Sequence, residues 1–214
     1  MLTCVSRVTN ISAGLEHLVI LTNKGRVFTS SAANTFPTRG QLGVPGLTWE
    51  TRRKDLPYEA PNLIFDSNGP KITQIATGDY HSVILDTEGR PWVFGDNGYG
   101  QLGFPWHPEL SGRDIPTELS VLGLYPGTGY AVKCKKIAAG GLNSYFMVDA
   151  LEEKTGKTIA DVWASGQGLW GALGNGKWTH FQGEPVKVKN LSGLMECKSF
   201  SPLCVSSRYQ NPQA

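Results

Sequence analysis

The sequence has few charged residues, few cysteines and no long apolar run. Charged residues make up 18% of the chain and the formal net charge is +2, so no basic surface for nucleic acid is predicted. No apolar run approaches the roughly 20 residues that cross a membrane, so no transmembrane segment is predicted. No Cys-x-x-Cys pair occurs, which argues against zinc and thiol redox motifs. The four scattered cysteines are Cys4, Cys134, Cys197 and Cys204.

Glycine, by contrast, is abundant. It occupies 26 of the 214 positions, about 12% against a usual share of about 7%. Glycine serves where a chain turns sharply or where two backbones approach closely. Together with 13 prolines and no long helical pattern, this composition predicts an all-β protein of many short strands joined by turns.

Three copies of one pattern run through the chain. Each copy opens on a small-residue segment that ends in glycine, and these glycines lie 64 and then 62 residues apart. They are Gly14, Gly78 and Gly140. Three residues later a strand-like segment begins, with His17 in copy one, His81 in copy two and Asn143 in copy three. A fixed period of this length indicates a repeat architecture.

Further glycines recur inside each copy. Gly25 and Gly89 stand where a tight hairpin needs a positive φ, whereas the corresponding turn of copy three is predicted to swell into a surface loop over residues 151–160. A glycine-dense element then closes each copy, and it suits a chain that reverses against neighbouring backbone. Its glycines are Gly40 and Gly43, then Gly95, Gly100 and Gly103, and finally Gly166, Gly171 and Gly174. The unit has about 60 residues and four strands, the size of a propeller blade.

At these residues the chain resembles the regulator-of-chromosome-condensation (RCC) repeat family. The family pattern is Ala-x-Gly, His-x-x-x-Leu, a turn glycine and Gly-x-Asn-x-x-Gly-Gln-Leu-Gly. Copy two matches almost completely, copy one has Thr29 in place of a glycine, and copy three has Asn143 for the histidine and Ala172 for the glutamine. Over residues 8–193, the resemblance implies a partial RCC-like β-propeller of about three four-stranded blades in an incomplete ring.

The domain organisation follows from the repeat. Residues 1–193 are predicted to form the blade array, with copies starting near residues 11, 75 and 137. No signal peptide is recognised ahead of Ile11. Residues 194–214 contain no further repeat opening, and they are predicted to be a disordered or truncated tail. We therefore expect the chain to be a fragment of a larger disc.

The segment 168–194 looks like the fungal mitochondrial members of the family. That resemblance implies a mitochondrial location and a non-enzymatic scaffold that assists assembly of respiratory-chain complexes at the inner membrane, with subunits of those complexes as partners. An alternative is guanine-nucleotide exchange on a small GTPase, the activity of the founding member. A third is a propeller fused to a catalytic domain such as a ubiquitin ligase, for which these residues show no sign.

No catalytic, cofactor-binding or metal-binding residue and no small-molecule substrate is predicted. Because His17 and His81 recur at one place in the repeat, we expect each to fix its blade by a hydrogen bond to a neighbouring backbone group. The Gly156-Lys157-Thr158 segment ends like a phosphate-binding loop. Leu151 stands where that motif needs its first glycine, and the segment lies in a hairpin, so the structural interpretation is favoured.

Aromatic residues supply the candidates for an interface. Packing in or between blades is the general expectation for the tryptophans of the repeats, which are Trp92, Trp106, Trp163, Trp170 and Trp178. Among them, Trp106 and Trp178 follow the glycine-dense element, and they are the candidates for exposed interface residues. The loops 36–58, 105–115 and 151–160 are expected to contact protein partners.

Overall fold

The described part of the chain forms three separate four-stranded antiparallel sheets. The structure is a computed structural model. It describes residues 6–32, 35–57, 60–105, 107, 111–127 and 129–192. Each sheet corresponds to one sequence copy and is called a blade here. The predicted all-β class and three four-stranded blades are confirmed, and no closed ring is formed by these residues.

Blade 1 contains β1 (Val8–Ala13), β2 (His17–Thr22), β3 (Val27–Ser31) and β4 (Asn62–Phe65), paired in chain order. Its side chains alternate along β2, where one face is fully buried and the other half-buried. Alternation of this kind follows from the two-residue period of a strand. Blade 1 therefore has one covered face, which is turned toward blade 2.

Blade 2 contains β5 (Ile72–Thr77), β6 (His81–Asp86), β7 (Pro91–Asp96) and β8 (Gly112–Glu118). Every residue of β6 is buried, because blade 2 lies between the two other blades and is covered on both faces. A continuous Val-Ile-Leu run suits such a strand.

Blade 3 contains β9 (Tyr130–Gly140), β10 (Asn143–Glu152), β11 (Thr158–Gly166) and β12 (Gln182–Lys187). The predicted loop over residues 151–160 is confirmed only for residues 153–157, because residues 151–152 belong to β10 and residues 158–160 to β11. Leu151 pairs with Thr158 across the hairpin, so the extra residues lengthen the strands and leave only a short turn. Cross-strand hydrogen bonds satisfy backbone groups that a loop would leave to water.

Most of the apolar core lies between blades rather than within them. One cluster joins blades 1 and 2 and contains Val19, Leu21, Val27, Phe65, Ile72, Ile75, Ile84 and Phe94. A second joins blades 2 and 3 and contains Val83, Leu85, Val93, Leu102, Leu119, Val121, Cys134, Phe146 and Val148. A small third cluster of Ala164, Leu173 and Val188 lies within blade 3. A four-stranded sheet cannot cover its own faces, so each blade depends on its neighbour for burial.

Each blade has two ends that differ in character. The turns β1–β2, β5–β6 and β9–β10 lie at the same end as the loops β3–β4, β7–β8 and β11–β12, because the strands alternate in direction. We call the described residues of these turns and loops the loop rim. The short turns β2–β3, β6–β7 and β10–β11 form the opposite, hairpin rim.

Each predicted copy start lies inside the first strand of a blade. The copy starts near residues 11, 75 and 137 lie in β1, β5 and β9. The predicted tail, residues 194–214, lies outside the described residues. Two short 3-10 turns span Leu122–Leu124 and Leu169–Gly171. Among the described residues, no helix is long and apolar enough to cross a membrane.

Candidate functional site at the loop rim

Two buried histidines connect the blades at the loop rim. The His17 Nε2 atom of blade 1 lies 2.8 Å from the Ser82 hydroxyl of blade 2. The His81 Nε2 atom of blade 2 lies 2.9 Å from the Ser144 hydroxyl of blade 3. All four side chains are buried. The same link is therefore built twice, once at each interface between blades.

The opening glycines make room for these histidine rings. A Cβ atom on Gly14 would lie 2.5 Å from the His17 ring and 2.6 Å from the Gly78 carbonyl oxygen. A Cβ atom on Gly78 would meet the His81 ring and lie 2.6 Å from the Gly141 carbonyl oxygen. The glycine and the histidine of the sequence pattern thus form one unit, in which the ring packs on the glycine and the next blade packs on both.

The second link also fixes the tautomer of its histidine. The Ser144 hydroxyl donates its one proton to the Gln101 carbonyl oxygen at 2.7 Å, so it accepts a hydrogen bond from His81 Nε2–H. Burial lowers the pKa of His17 to about 4. Burial, together with the charge on His17, lowers the pKa of His81 to about 3. Both rings are therefore neutral at physiological pH.

The predicted backbone partner of these histidines is wrong: in both links the partner is a serine hydroxyl of the next blade. Ser82 points to the opposite face of its strand from His81, which from the sequence alone argued against a pairing of the two. That orientation is what allows Ser82 to meet the histidine of the preceding blade. A signal was available, since serine follows the first strand position in copies two and three, whereas copy one has Leu18 there.

A buried glutamine organises the glycine-dense element of blade 2. The Gln101 amide donates to the Asp96 carboxylate at 2.9 Å and accepts from the Tyr99 N–H at 2.8 Å. The Asn97 side-chain oxygen accepts from the Leu102 N–H at 2.9 Å. These bonds close the loop on itself, so its shape depends on the Asn and Gln of the repeat pattern.

Blade 1 repeats this arrangement and blade 3 does not. The Gln41 amide donates to Glu16 at 3.0 Å and accepts from the Arg39 N–H at 2.6 Å. Blade 3 has Ala172 at the equivalent position, so no side-chain amide holds its loop. The Trp170 backbone there has a φ of 58°.

Replacing Gln101 by alanine is expected to lower the free energy of unfolding by about 2 kcal/mol, because Asp96 and the Tyr99 N–H lose a buried partner. Urea denaturation at pH 7 measures the change. The reverse replacement, Ala172→Gln, is the control and should change the unfolding free energy little, since Gln167 stands where blade 2 has Asp96. A loss below about 0.5 kcal/mol for Gln101→Ala would contradict the assigned role.

A polar cavity of about 500 Å³ opens on the loop rim between blades 1 and 2. Arg39 lies beside it, 3.6 Å from the Asp96 carboxylate and stacked over the Tyr80 ring at 4.3 Å. Arg113 and Asp114 complete the charged lining. Acidic and basic side chains alternate around the cavity, so it favours neither an anionic nor a cationic ligand. The ion pair between Arg39 and Asp96 joins the two blades.

The repeat glycines differ in the structural feature that requires them. Most hold a positive φ at turns or where the chain meets the next blade: Gly25, Gly40, Gly43, Gly89, Gly95, Gly100, Gly103, Gly166, Gly171 and Gly174. A Cβ atom on Gly100 would lie 2.5 Å from the Gly183 nitrogen of blade 3. The opening glycines Gly14 and Gly78 have no positive φ, and close approach alone explains them. Gly140 has no positive φ, and a Cβ atom added to it would have no neighbour within 4 Å.

The tryptophans divide differently from the prediction. Trp92 and Trp163 are partly buried, where Trp92 packs on Phe65 of blade 1 and Trp163 on Tyr125. Trp178 is 66% exposed, consistent with the exposure predicted for it, and its interface role stays a prediction. Core packing is wrong for Trp170, which is 82% exposed. Trp106 lies outside the described residues.

Some titratable side chains in the described residues form ion pairs, such as Lys187 with Asp161 at 2.8 Å. No group of three or more His, Cys, Asp or Glu side chains that could hold a metal ion occurs among them. The Gly156-Lys157-Thr158 segment lies in the β10–β11 turn and enters β11 without a helix, so it lacks the strand-to-helix setting of a phosphate-binding loop. The groups of the loop rim that a partner could contact are therefore the exposed side chains of its loops.

Comparison with protein families identifies these elements. Residues 72–101, which span β5 to the glutamine of blade 2, match the regulator of chromosome condensation (RCC1) repeat. The chain thus carries an RCC1 repeat. The matched segment contains the buried histidine, the hairpin glycine and the glycine-dense loop whose contacts are described above.

Two curated relatives of this RCC1-repeat chain are mitochondrial proteins. Protein FMP25 of Saccharomyces cerevisiae is 29% identical over 202 residues, covering 86% of this chain and 33% of the relative. The RCC1 domain-containing protein RUG3 of Arabidopsis thaliana is 28% identical over 199 residues, covering 93% of this chain and 38% of the relative. The chain thus spans between a third and two fifths of their length.

A solved structure shows the same fold. Prp20p from Saccharomyces cerevisiae, described with its binding properties to Gsp1p and histones, superposes with a TM-score of 0.58 at 22% identity. The match covers 86% of this RCC1-repeat chain and 39% of Prp20p. Three blades therefore correspond to a minor part of a larger propeller.

Proposed function

We propose that this RCC1-repeat chain is part of a mitochondrial, non-enzymatic scaffold that binds protein partners and assists assembly of respiratory-chain complexes at the inner membrane. The observation that carries the proposal is the similarity to two mitochondrial proteins over 86% and 93% of the chain. The proposed mitochondrial location is taken from the names of these two relatives. The role in assembly comes from the likeness of residues 168–194 to fungal mitochondrial members of the family.

The loop rim supports a scaffold rather than an enzyme. Its two histidines are buried between blades and held neutral, so a substrate in solvent does not reach them. Its acidic residues Glu16 and Asp96 are engaged by glutamine and arginine side chains. What it offers to solvent are loops held in place by blade contacts, and loops on a rigid support commonly determine which partner is bound.

The test is made on the full-length product in its source organism. We expect an epitope-tagged protein to be protected from protease inside mitochondria, and deletion of the gene to reduce assembled respiratory complexes on native gels. Subunit transcript levels should stay unchanged. Normal complexes after deletion, or a protein outside mitochondria, would contradict the proposal.

Loop-rim variants sharpen this experiment. Trp178→Ala in the chromosomal gene should reduce complex assembly while the protein level stays the same, because an exposed side chain contributes to binding more than to folding. Gly140→Ala, on the same blade, is the matched control and should assemble normally. Equal complex assembly in both strains would argue against a role of the blade 3 loop rim in that assembly.

Nucleotide exchange on a small GTPase is the alternative. The likeness to Prp20p is at 22% identity and supports the fold alone. Release of labelled GDP from candidate mitochondrial GTPases decides between the two functions. Faster GDP release in the presence of the full-length protein would favour the exchange function. An unchanged rate of GDP release would favour the scaffold function.

A further inference from the structure

Two tryptophans stand together on the surface of the β11–β12 loop. Trp170 is 82% exposed and Trp178 is 66% exposed. Their ring centroids lie 4.7 Å apart and the ring planes meet at 74°. Large aromatic side chains exposed as a contiguous pair are uncommon on a protein surface and mark binding sites.

The loop beneath the two rings is firmly held. The Tyr145 hydroxyl donates to the Ala172 carbonyl oxygen at 2.7 Å, and the Gly168 N–H donates to the Thr179 carbonyl oxygen at 2.9 Å. Leu173 is fully buried in the small cluster of blade 3. The indoles are therefore presented by an ordered loop, which reduces the entropy lost on binding.

The backbone at Trp170 is strained in a way that folding does not explain. Its φ of 58° lies in the left-handed region, where a bulky side chain is an outlier. The side chain is exposed, so no core packing compensates for that conformation. Arg39 and Tyr99 hold the equivalent places in blades 1 and 2 without a positive φ. Strain retained at an exposed residue points to a use for that residue.

We infer that Trp170, Trp178 and Lys177 form a docking site for an apolar, carboxylate-bearing segment of a partner protein. This rests on the proposed scaffold function and names the surface and the partner chemistry. The apolar side chain of the segment packs against the paired indoles, and its carboxylate forms an ion pair with the Lys177 ammonium group.

The charge of the loop selects an acidic segment. Residues 167–181 contain Lys177 and His180 and no Asp or Glu, and the first acidic residue beyond them is Glu184. The exposed Gly171, Gly174 and Gly176 leave room for a partner backbone to approach. A basic segment would meet only like charge within this loop.

The same composition argues against an anionic membrane as the occupant. Electrostatic attachment to anionic lipid commonly uses clusters of about 4–8 Lys or Arg residues, and this loop has one lysine. A single lysine is sufficient for one carboxylate of a peptide. The observations therefore favour a protein segment.

The test uses random 12-residue peptides displayed on phage, selected on the whole chain and then synthesised for fluorescence anisotropy. We expect the selected peptides to combine a large apolar residue with Asp or Glu. Trp170→Gly and Trp178→Ala should each weaken binding by about 10-fold or more, and Lys177→Glu by about 3-fold. Trp49→Ala, at a 50% exposed tryptophan on the blade 1 loop, is the matched control and should bind as the unchanged chain does.

Thermal unfolding separates lost binding from lost folding. Trp170→Gly should keep or raise Tm, because glycine adopts this φ without strain. Peptides that bind all variants equally, or selected peptides that are basic, would overturn the inference. So would Trp-dependent binding to vesicles of phosphatidylcholine and cardiolipin, which would assign the loop to a membrane.

Failure of the docking site and failure of the scaffold function give different results. If respiratory complexes fail to assemble in the deletion strain but assemble with Trp170→Gly and Trp178→Ala, the docking site is wrong and the scaffold stands. If deletion leaves assembly normal, the scaffold is wrong whatever the peptides show.

Discussion

Replacing Gly78 by alanine is expected to lower the free energy of unfolding by about 3 kcal/mol, because the added methyl group cannot be accommodated. It would meet the buried His81 ring and lie 2.6 Å from the Gly141 carbonyl oxygen of blade 3. Neither group can move alone, since His81 is bonded to Ser144 and the Gly141 carbonyl oxygen accepts from the Asp79 N–H at 2.8 Å. Urea denaturation followed by tryptophan fluorescence measures the change.

Gly140 provides the matched control for this prediction. It holds the same place in copy three, has no positive φ and has nothing within 4 Å of an added Cβ atom. Gly140→Ala should therefore change the unfolding free energy by less than about 0.5 kcal/mol. Equal losses in the two variants would show that the strand, rather than the contact between blades, requires glycine.

Lowering the pH from 7 to 4.5 is expected to destabilise the protein through its two buried histidines. Their pKa values are about 4 and about 3 in the folded chain, against about 6.5 when exposed. The unfolded chain therefore binds more protons below pH 6.5, and folding stability falls with pH. At pH 4.5 each histidine accounts for a loss of about 2.5 kcal/mol. Ordinary carboxyl groups titrate mainly below this window.

The double variant His17→Asn, His81→Asn isolates this effect. Asparagine is the residue of copy three at this position and does not titrate. The variant should be less stable at pH 7, because two bonds between blades are lost, but its stability should change little between pH 6.5 and 4.5. An unchanged pH slope in the variant would assign the titration to other groups. Urea denaturation in a series of buffers gives both quantities.

These expectations depend on contacts that the sequence predicted only in part. The spacing of Gly14, Gly78 and Gly140 predicted three blades, and the structure has three. The recurrence of His17 and His81 predicted a structural role between neighbours, yet not the serine partners. Facing residues in adjacent blades are 63 to 65 positions apart, and their register depends on how two sheets pack.

The tryptophans and the third hairpin show the same limit. Trp170 sits in the repeat element that buries Leu173, so its pattern indicates packing. In the structure, however, Trp170 has a positive φ and its indole is exposed. The sequence shows that the third hairpin is longer than the others, and only the pairing of β10 with β9 and β11 shows that the residues at both ends of the 151–160 segment extend the strands.

The sequence by itself determined the all-β class, the period and the number of blades of this RCC1-repeat chain, together with the glycines that its turns require. Those features arise from interactions between residues close along the chain, where strand alternation and φ preferences act. Only the tertiary structure decided that the histidines bond to serines of the next blade and that Trp170 and Trp178 meet on the surface. The bonds between histidine and serine depend on the packing of whole sheets, which bury their faces only against one another. The tryptophan pair depends on the path of the single loop that carries both residues.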